Sequence, residues 1–263
     1  MPTTRRSGIA IHYELEGSGP RLVLLHGGFS SSAFWRIDGY VDGLRDDHEL
    51  VLIDIRGHGQ SDKPHEPEAY WSSLLASDVL AVLDEVGLAS ATLCGFSLGA
   101  NIALRVAACL PDRVDAIAAI GSGPGQVGFA CLSPEEEDDT WAQRFEQEGM
   151  AWMVARLERE GRLARARLVG QADPLAMAAW WRGWYHVEPI PNRLTDLEMP
   201  SLFAWGEVEI EGETLPPLPP GARLVVVPGA DHVGVMESPD VILPELRALL
   251  ASAAISRAIS PGR

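Results

Sequence analysis

The chain reads as an α/β protein: a mainly parallel central sheet, helices on both faces, and an inserted helical segment. Three observations predict it. Short apolar runs (Leu22–Leu25, Leu50–Ile53, Ala91–Cys94, Val114–Ile120, Leu202–Trp205 and Leu224–Val227) have the length of strands, and Leu22–Leu25 and Leu50–Ile53 the continuous apolar character of strands buried on both faces. Helical segments separate several of these runs, as right-handed crossovers between parallel strands require. The alternation then breaks for about 70 residues after Gly125, where helix signatures follow one another without a strand. The expected division is therefore a core of residues 1–124 and 191–263, with a helical cap over 125–190.

In order, Ile9 to Glu14 alternates apolar and polar residues and stops at Gly17-Ser18-Gly19-Pro20, which reads as an edge strand and turn. Leu22–Leu25 is the first buried strand, followed by His26-Gly27-Gly28-Phe29 and a helical stretch from Phe34-Trp35 to Leu44. Leu50–Ile53 runs into Asp54-Ile55-Arg56-Gly57-His58-Gly59-Gln60-Ser61-Asp62. A helix over Tyr70–Val86 places Leu75, Val79, Val82, Leu83 and Val86 on one face, and Gly87 closes it. Ser133-Pro134 with acids at 135–139 has the N-cap, proline and acidic first turn of a helix start. Met150, Met153, Val154 and Leu157 mark a second amphipathic helix ending at Gly161. Asp173-Pro174 opens a third, with Ala178, Trp181, Trp184 and Tyr185 at spacings of three and four. A proline-rich link, Leu215 to Pro220, precedes Leu224–Val227, and a last helix spans about Pro239 to Ile255.

With 46% hydrophobic and 22% charged residues, the 263-residue chain can form a core without disulfide staples. Its three cysteines, Cys94, Cys109 and Cys131, form no CxxC pair or metal-ligand pattern, which suggests reduced thiols and a cytoplasmic location. A formal charge of −16 argues against nucleic acid or an anionic membrane as partner. No apolar run reaches the roughly 18 residues of a spanning helix. No apolar region follows Arg5-Arg6 either, so no signal peptide is expected.

Gly95-Phe96-Ser97-Leu98-Gly99 lies between a buried strand and a helix. This Gly-x-Ser-x-Gly pattern is a tight, strained turn that lifts a serine hydroxyl clear of the sheet. A serine hydroxyl needs a base, and the base needs an orienting acid. His232 follows the last strand, and Glu209 lies three residues beyond the strand end at Gly206. The order serine, acid, histidine suits an elbow nucleophile. Glu207, Glu211 and Glu213 compete for the acid's role. His26, His58, Asp54 and Arg56 read as residues that hold loops by hydrogen bonds.

Together, His26-Gly27-Gly28, the run from Asp54 to Asp62, the elbow, Pro200 to Glu209 and Pro228 to His232 resemble the α/β-hydrolase superfamily over nearly the full chain. The resemblance implies Ser97, His232 and Glu209 as the catalytic residues. It also implies an oxyanion hole from the amide of Leu98 with that of Gly28 or Phe29. Two departures are plain: glutamate stands where the family usually has aspartate, and Asp231 rather than glycine precedes the histidine. A serine nucleophile also argues against dehalogenase and epoxide hydrolase chemistry, which use aspartate at the elbow.

Trp141, Trp152, Trp180, Trp181 and Trp184 fall in the insertion, and Trp141, Trp152, Trp181 and Trp184 are expected around the substrate. The layout looks similar to enol-lactonases and small carboxylesterases. It implies a small apolar or aromatic ester or lactone as substrate, with no metal or organic cofactor. A homodimer is allowed but not specified. The rivals are a C–C bond hydrolase, a cofactor-free perhydrolase or a thioesterase on the same three residues. A non-hydrolytic lyase, cyclase or ligand-binding protein is the rival from another class.

Overall fold

In the computed structural model, residues 2–124, 139–184, 194–212 and 215–259 are described. Eight strands, β1 (Thr3–Arg6), β2 (Ile9–Gly17), β3 (Arg21–Leu25), β4 (Glu49–Ile53), β5 (Ala91–Phe96), β6 (Val114–Ile120), β7 (Ser201–Gly206) and β8 (Arg223–Val227), form one sheet. Their spatial order is β1-β2-β4-β3-β5-β6-β7-β8. From β4 to β8 every pairing is parallel, and β1–β2 and β2–β4 are antiparallel. Thus β2 is not the edge, as its alternation suggested. The outer strand is β1, whose sequence Thr-Thr-Arg-Arg carries no apolar pattern and is made a strand by pairing with β2. Its arginines leave a charged rather than sticky edge.

The apolar runs work because the sheet is covered twice. Val23, Leu25, Val51 and Leu93 point into one core, with Leu75, Val79, Val82 and Leu83 of α3 (Ser72–Glu85) and most of α4 (Leu98–Cys109). Leu22, Leu24, Leu50, Leu52 and Cys94 point to the other. There they meet α1 (Ala33–Ile37) and α2 (Tyr40–Leu44). The helix expected from Phe34 to Leu44 is split into these two by Gly39, at φ 81°.

Between β6 and β7 lie α5 (Thr140–Glu148), α6 (Ala151–Arg159), α7 (Leu163–Val169) and α8 (Pro174–Trp184). The helix start expected at Ser133-Pro134, Cys131, Tyr185 and Glu213 lie outside the described residues. Helix α6 stops before Gly161, as its pattern indicated, and Asp173 Oδ1 caps α8 through the amides of Leu175 and Ala176. The short α7 was not apparent in the sequence. Nor was α9 (His232–Met236), which precedes α10 (Pro239–Ile259). Among the described residues no helix is long and apolar enough to cross a membrane.

Strands β3 and β5 are neighbours, with Leu25 opposite Gly95, although β4 separates them in sequence. At such a change of direction a parallel sheet leaves a crevice beyond its carboxyl ends. The loop after β3 and the turn after β5 open side by side there.

Candidate active site

Ser97 sits at φ 51° and ψ −112°, a conformation that costs a non-glycine residue about 1–3 kcal/mol. The surroundings hold it there. Its amide donates to the Ile120 carbonyl at 2.8 Å, and its carbonyl accepts from Asn101 at 3.0 Å. The flanking glycines permit the close approach. A Cβ on Gly95 would lie 2.3 Å from the Gly99 backbone, and one on Gly99 would lie 2.1 Å from the Leu25 carbonyl oxygen. Helix α4 therefore starts almost in contact with β3 and β5, and its first amides lack intrahelical acceptors.

The loop after β3 is built with equal care. His26 Nε2 accepts from the Ile55 amide at 3.0 Å, and His58 Nε2 accepts from the Phe29 amide at 3.2 Å. The opposite ring nitrogens face the carbonyls of Gly27 and Arg56, so both imidazoles fit the tautomer protonated at Nδ1. Burial first, and the neighbouring His26 second, push the His58 imidazole down to about 3, so it stays neutral. Asp54 accepts from the amides of Ser32 and Gln60, each at 2.8 Å. Arg56 forks onto Asp78 at 2.7 and 2.8 Å in the interior. Phe29 itself has φ 58°. Gly28 lies beneath Trp180, whose ring would be 2.4 Å from any Cβ placed there.

After β7 and β8 the chain brings a carboxylate to a histidine. His232 Nδ1 and Glu209 Oε1 are 2.6 Å apart. The glutamate side chain is 5% exposed and the histidine side chain 37%. The hydrogen bond directs Nδ1–H at Glu209 and leaves Nε2 for the cavity. Of the competing acids, Glu207 is turned away to accept from the Gly229 amide at 2.8 Å, and Glu211 is exposed. The His232 ring packs against Phe96, next to Ser97, with centroids 5.1 Å apart. Ser97 and His232 face the same cavity without a direct hydrogen bond between their side chains.

Ser97, Glu209, His232, Gly28 and Phe29 all line one cavity of about 420 Å³. Leu98 is fully buried behind Ser97. Of the four tryptophans expected around the substrate, Trp141 and Trp181 line the cavity, their rings stacked at 4.7 Å. Trp152 and Trp184 are not among its lining residues. Trp152 packs against Trp141 and Phe145 with Arg144 over its ring, and Trp184 lies in the buried core. Trp180 takes a lining place instead, edge-on to Phe29 at 5.0 Å. One wall is ionic, made of Arg156, Glu160, Arg162, Arg165 and Asp231. Arg156 and Glu160 pair at helical spacing, but the contacts of Arg162 with Asp231 and of Arg165 with Glu237 join residues far apart in the chain and leave no local sequence pattern. Among the described residues no group of three or more His, Cys, Asp or Glu side chains is placed to hold a metal.

Comparison with known proteins identifies the family. The alpha/beta hydrolase fold family matches residues 20–153. The 2-(acetamidomethylene)succinate hydrolase of Mesorhizobium japonicum is 30% identical over 89% of this chain and 89% of its own. The putative 2-succinyl-6-hydroxy-2,4-cyclohexadiene-1-carboxylate synthase of Bacillus subtilis is 26% identical over 87% of this chain and 91% of its own. Among solved structures, the enol-lactonase of Burkholderia xenovorans LB400 superposes with a TM-score of 0.75 at 22% identity, over 95% of this chain and all of that one. The mainly parallel sheet, the elbow after β5 and the family match agree: the chain belongs to the α/β-hydrolase family.

Proposed function

We propose that the protein is a serine hydrolase that cleaves a carboxylic ester or lactone through an acyl-enzyme on Ser97. The observation that carries this reading is the 2.6 Å contact between His232 Nδ1 and Glu209 in the cavity that Ser97 lines. In this mechanism His232 Nε2 removes the Ser97 proton as Oγ attacks the substrate carbonyl carbon. Glu209 stays ionised and stabilises the imidazolium that forms. The leaving alkoxide takes that proton, and water activated by His232 then releases the acyl group.

The tetrahedral oxyanion would be held by the amides of Leu98 and Gly28. Phe29 is the weaker candidate, because its amide already donates to His58. Each preorganised donor in such a hole contributes about 3–4 kcal/mol to the lowered barrier. Helices α5–α8 act as the cap. Trp141, Trp180, Trp181, Met153 and Leu157 offer an apolar and aromatic surface for the acyl or lactone carbon skeleton. Est816, an N-acyl homoserine lactone degrading enzyme of the same fold at 25% identity, and the hydrolase from M. japonicum support hydrolysis of a small carbonyl compound.

One observation favours a second reading. The relative from B. subtilis carries the name of a synthase, so the same residues could serve a non-hydrolytic elimination or cyclisation here. A panel of p-nitrophenyl esters, lactones and vinylogous diketones decides. Turnover of esters or lactones that vanishes in Ser97→Ala supports the proposal. Rapid turnover of the diketones alone would replace it with C–C hydrolysis, and no hydrolysis by the folded protein would favour the non-hydrolytic reading.

A further inference from the structure

We propose that Arg162 is a positioning residue for His232: by neutralising Asp231 and clasping both ends of α9, it fixes where the imidazole stands and leaves Glu209 as its working carboxylate. The proposal rests on the catalytic role given above to His232. It concerns the residue, Asp231, at which this chain departs from the usual glycine.

The geometry is specific. Arg162 follows Gly161 at the junction of α6 and α7, so it belongs to the helical segment and not to the sheet. Its Nη2 reaches Asp231 Oδ1 at 2.7 Å and Oδ2 at 2.9 Å. Its Nη1 meets Glu160 Oε2 at 2.7 Å, and its Nε meets Glu237 Oε2 at 3.2 Å. The side chain is only 15% exposed and lines the cavity. Asp231 is held from the other side as well, because Oδ1 accepts from the Gly234 amide at 2.6 Å and caps α9, whose first residue is His232. Glu237 follows the last residue of α9. It is shared with Arg165, whose Nε lies 2.8 Å from it and whose Nη2 lies 2.5 Å from buried Asp38. Both ends of this five-residue helix are therefore tied to arginines of the helical segment.

Electrostatics make the tie more than a strut. Partial burial opposes ionisation of Asp231, but the Arg162 hydrogen bonds, the Gly234 amide and the charges of Arg162 and His232 outweigh it and hold its carboxyl below the ordinary range. The influence is mutual: an unpaired Asp231 would attract a proton to the neighbouring imidazole. The groups facing His232 are Glu209 on the loop after β7, Asp231 beside it, and Arg162 from the α6–α7 junction. Behind Arg162 stand Glu160, paired with Arg156, and Glu237, paired with Arg165 and through it Asp38. Without Arg162, Asp231, the nearest of these carboxylates, loses its counter-charge.

The test reads the His232 ring directly, by NMR titration in the full-length protein, with His232→Gln to assign the signal. Arg162→Met should raise its midpoint by about half a unit or more, and Asp231→Asn should lower it. The double variant should return close to wild type, and Arg162→Lys should stay there. The low-pH limb of kcat/KM should move with the midpoint. Asparagine still caps α9, so Asp231→Asn carries the test if Arg162→Met does not fold. An unchanged midpoint in Arg162→Met or Asp231→Asn, with only a lower melting temperature, would make Arg162 a strut and overturn the proposal. The titration needs no turnover, so a wild type that hydrolyses nothing would sink the hydrolase reading without deciding this one.

Discussion

Replacing Glu209 by glutamine removes one charge and little else, which makes it a sharp probe of the site. The carboxylate touches His232 Nδ1 at 2.6 Å and is almost fully buried, so its charge is poorly screened. For a carboxylate and an imidazolium with charge centres about 4 Å apart, an effective dielectric of about 20 gives about 4 kcal/mol. That is roughly 10³ in rate, and loss of the acid's charge in a serine triad has cost about 10⁴. Glu209→Gln should therefore lower kcat on an ester by about 10³–10⁴, with little change in KM and an intact fold by circular dichroism. Glu207→Gln is the control. Its side chain is engaged with the Gly229 amide, away from the histidine, and its kcat should stay within about threefold of wild type, the scale of an exposed polar contact. Equal losses in the two variants, or a Glu209→Gln enzyme within tenfold of wild type, would refute the assignment of the acid.

Three further outcomes are expected. Gly28→Ala places a methyl group against Trp180, so the loop must shift; kcat should fall about 10²-fold, the scale of one lost oxyanion donor, and Gly28→Ala/Trp180→Leu should recover part of it. Failure of the second change to help would detach Trp180 from the loop. Trp141→Ala should broaden the range of acyl lengths hydrolysed, because Trp141 lines the cavity, whereas Trp152→Ala should leave the length profile unchanged. Buried neutral His58 has its folded value, about 3, below the roughly 6.5 of an unfolded histidine, so the stability it confers is complete above pH 6.5 and drains away as pH falls toward 3. At pH 4.5 that loss is about 3 kcal/mol. Urea unfolding at pH 7.5 and 4.5 should show the gap between wild type and His58→Gln closing by about this amount; parallel losses would contradict it.

Much of the fold was legible because its central strands, β3 to β7, are buried on both faces. Leu22–Leu25 and Leu50–Ile53 have no polar residue to place in water, as strands covered on both faces require, and the helical segments between such runs point to a parallel sheet. What was not legible depends on partners distant in sequence. Thr3–Arg6 has no strand pattern and becomes one through β2. Helix α9 is too short to show a period and is set by the Asp231 cap. The elbow, the histidine and the carboxylate could be read from chain order and from their places after strand ends. Glu209 was preferred from its place after β7, but what separates it from Glu207 in space, its contact with His232 while Glu207 is held by the Gly229 amide, has no sequence signal. The Arg162–Asp231 contact joins residues 69 apart in sequence and leaves no local trace. Tryptophan content located the aromatic wall, but helical spacing alone did not separate Trp180, which faces the cavity, from Trp184, which faces the core.

The proposed hydrolysis depends on Ser97 carrying the acyl group. The most direct measurement is intact-protein mass spectrometry after mixing wild type and Ser97→Ala with a fluorophosphonate, followed by peptide mapping. One stoichiometric adduct is expected, located on Ser97, present in wild type and absent from the variant. A folded wild type that takes up no label, or a Ser97→Ala protein labelled at the same rate, would contradict it.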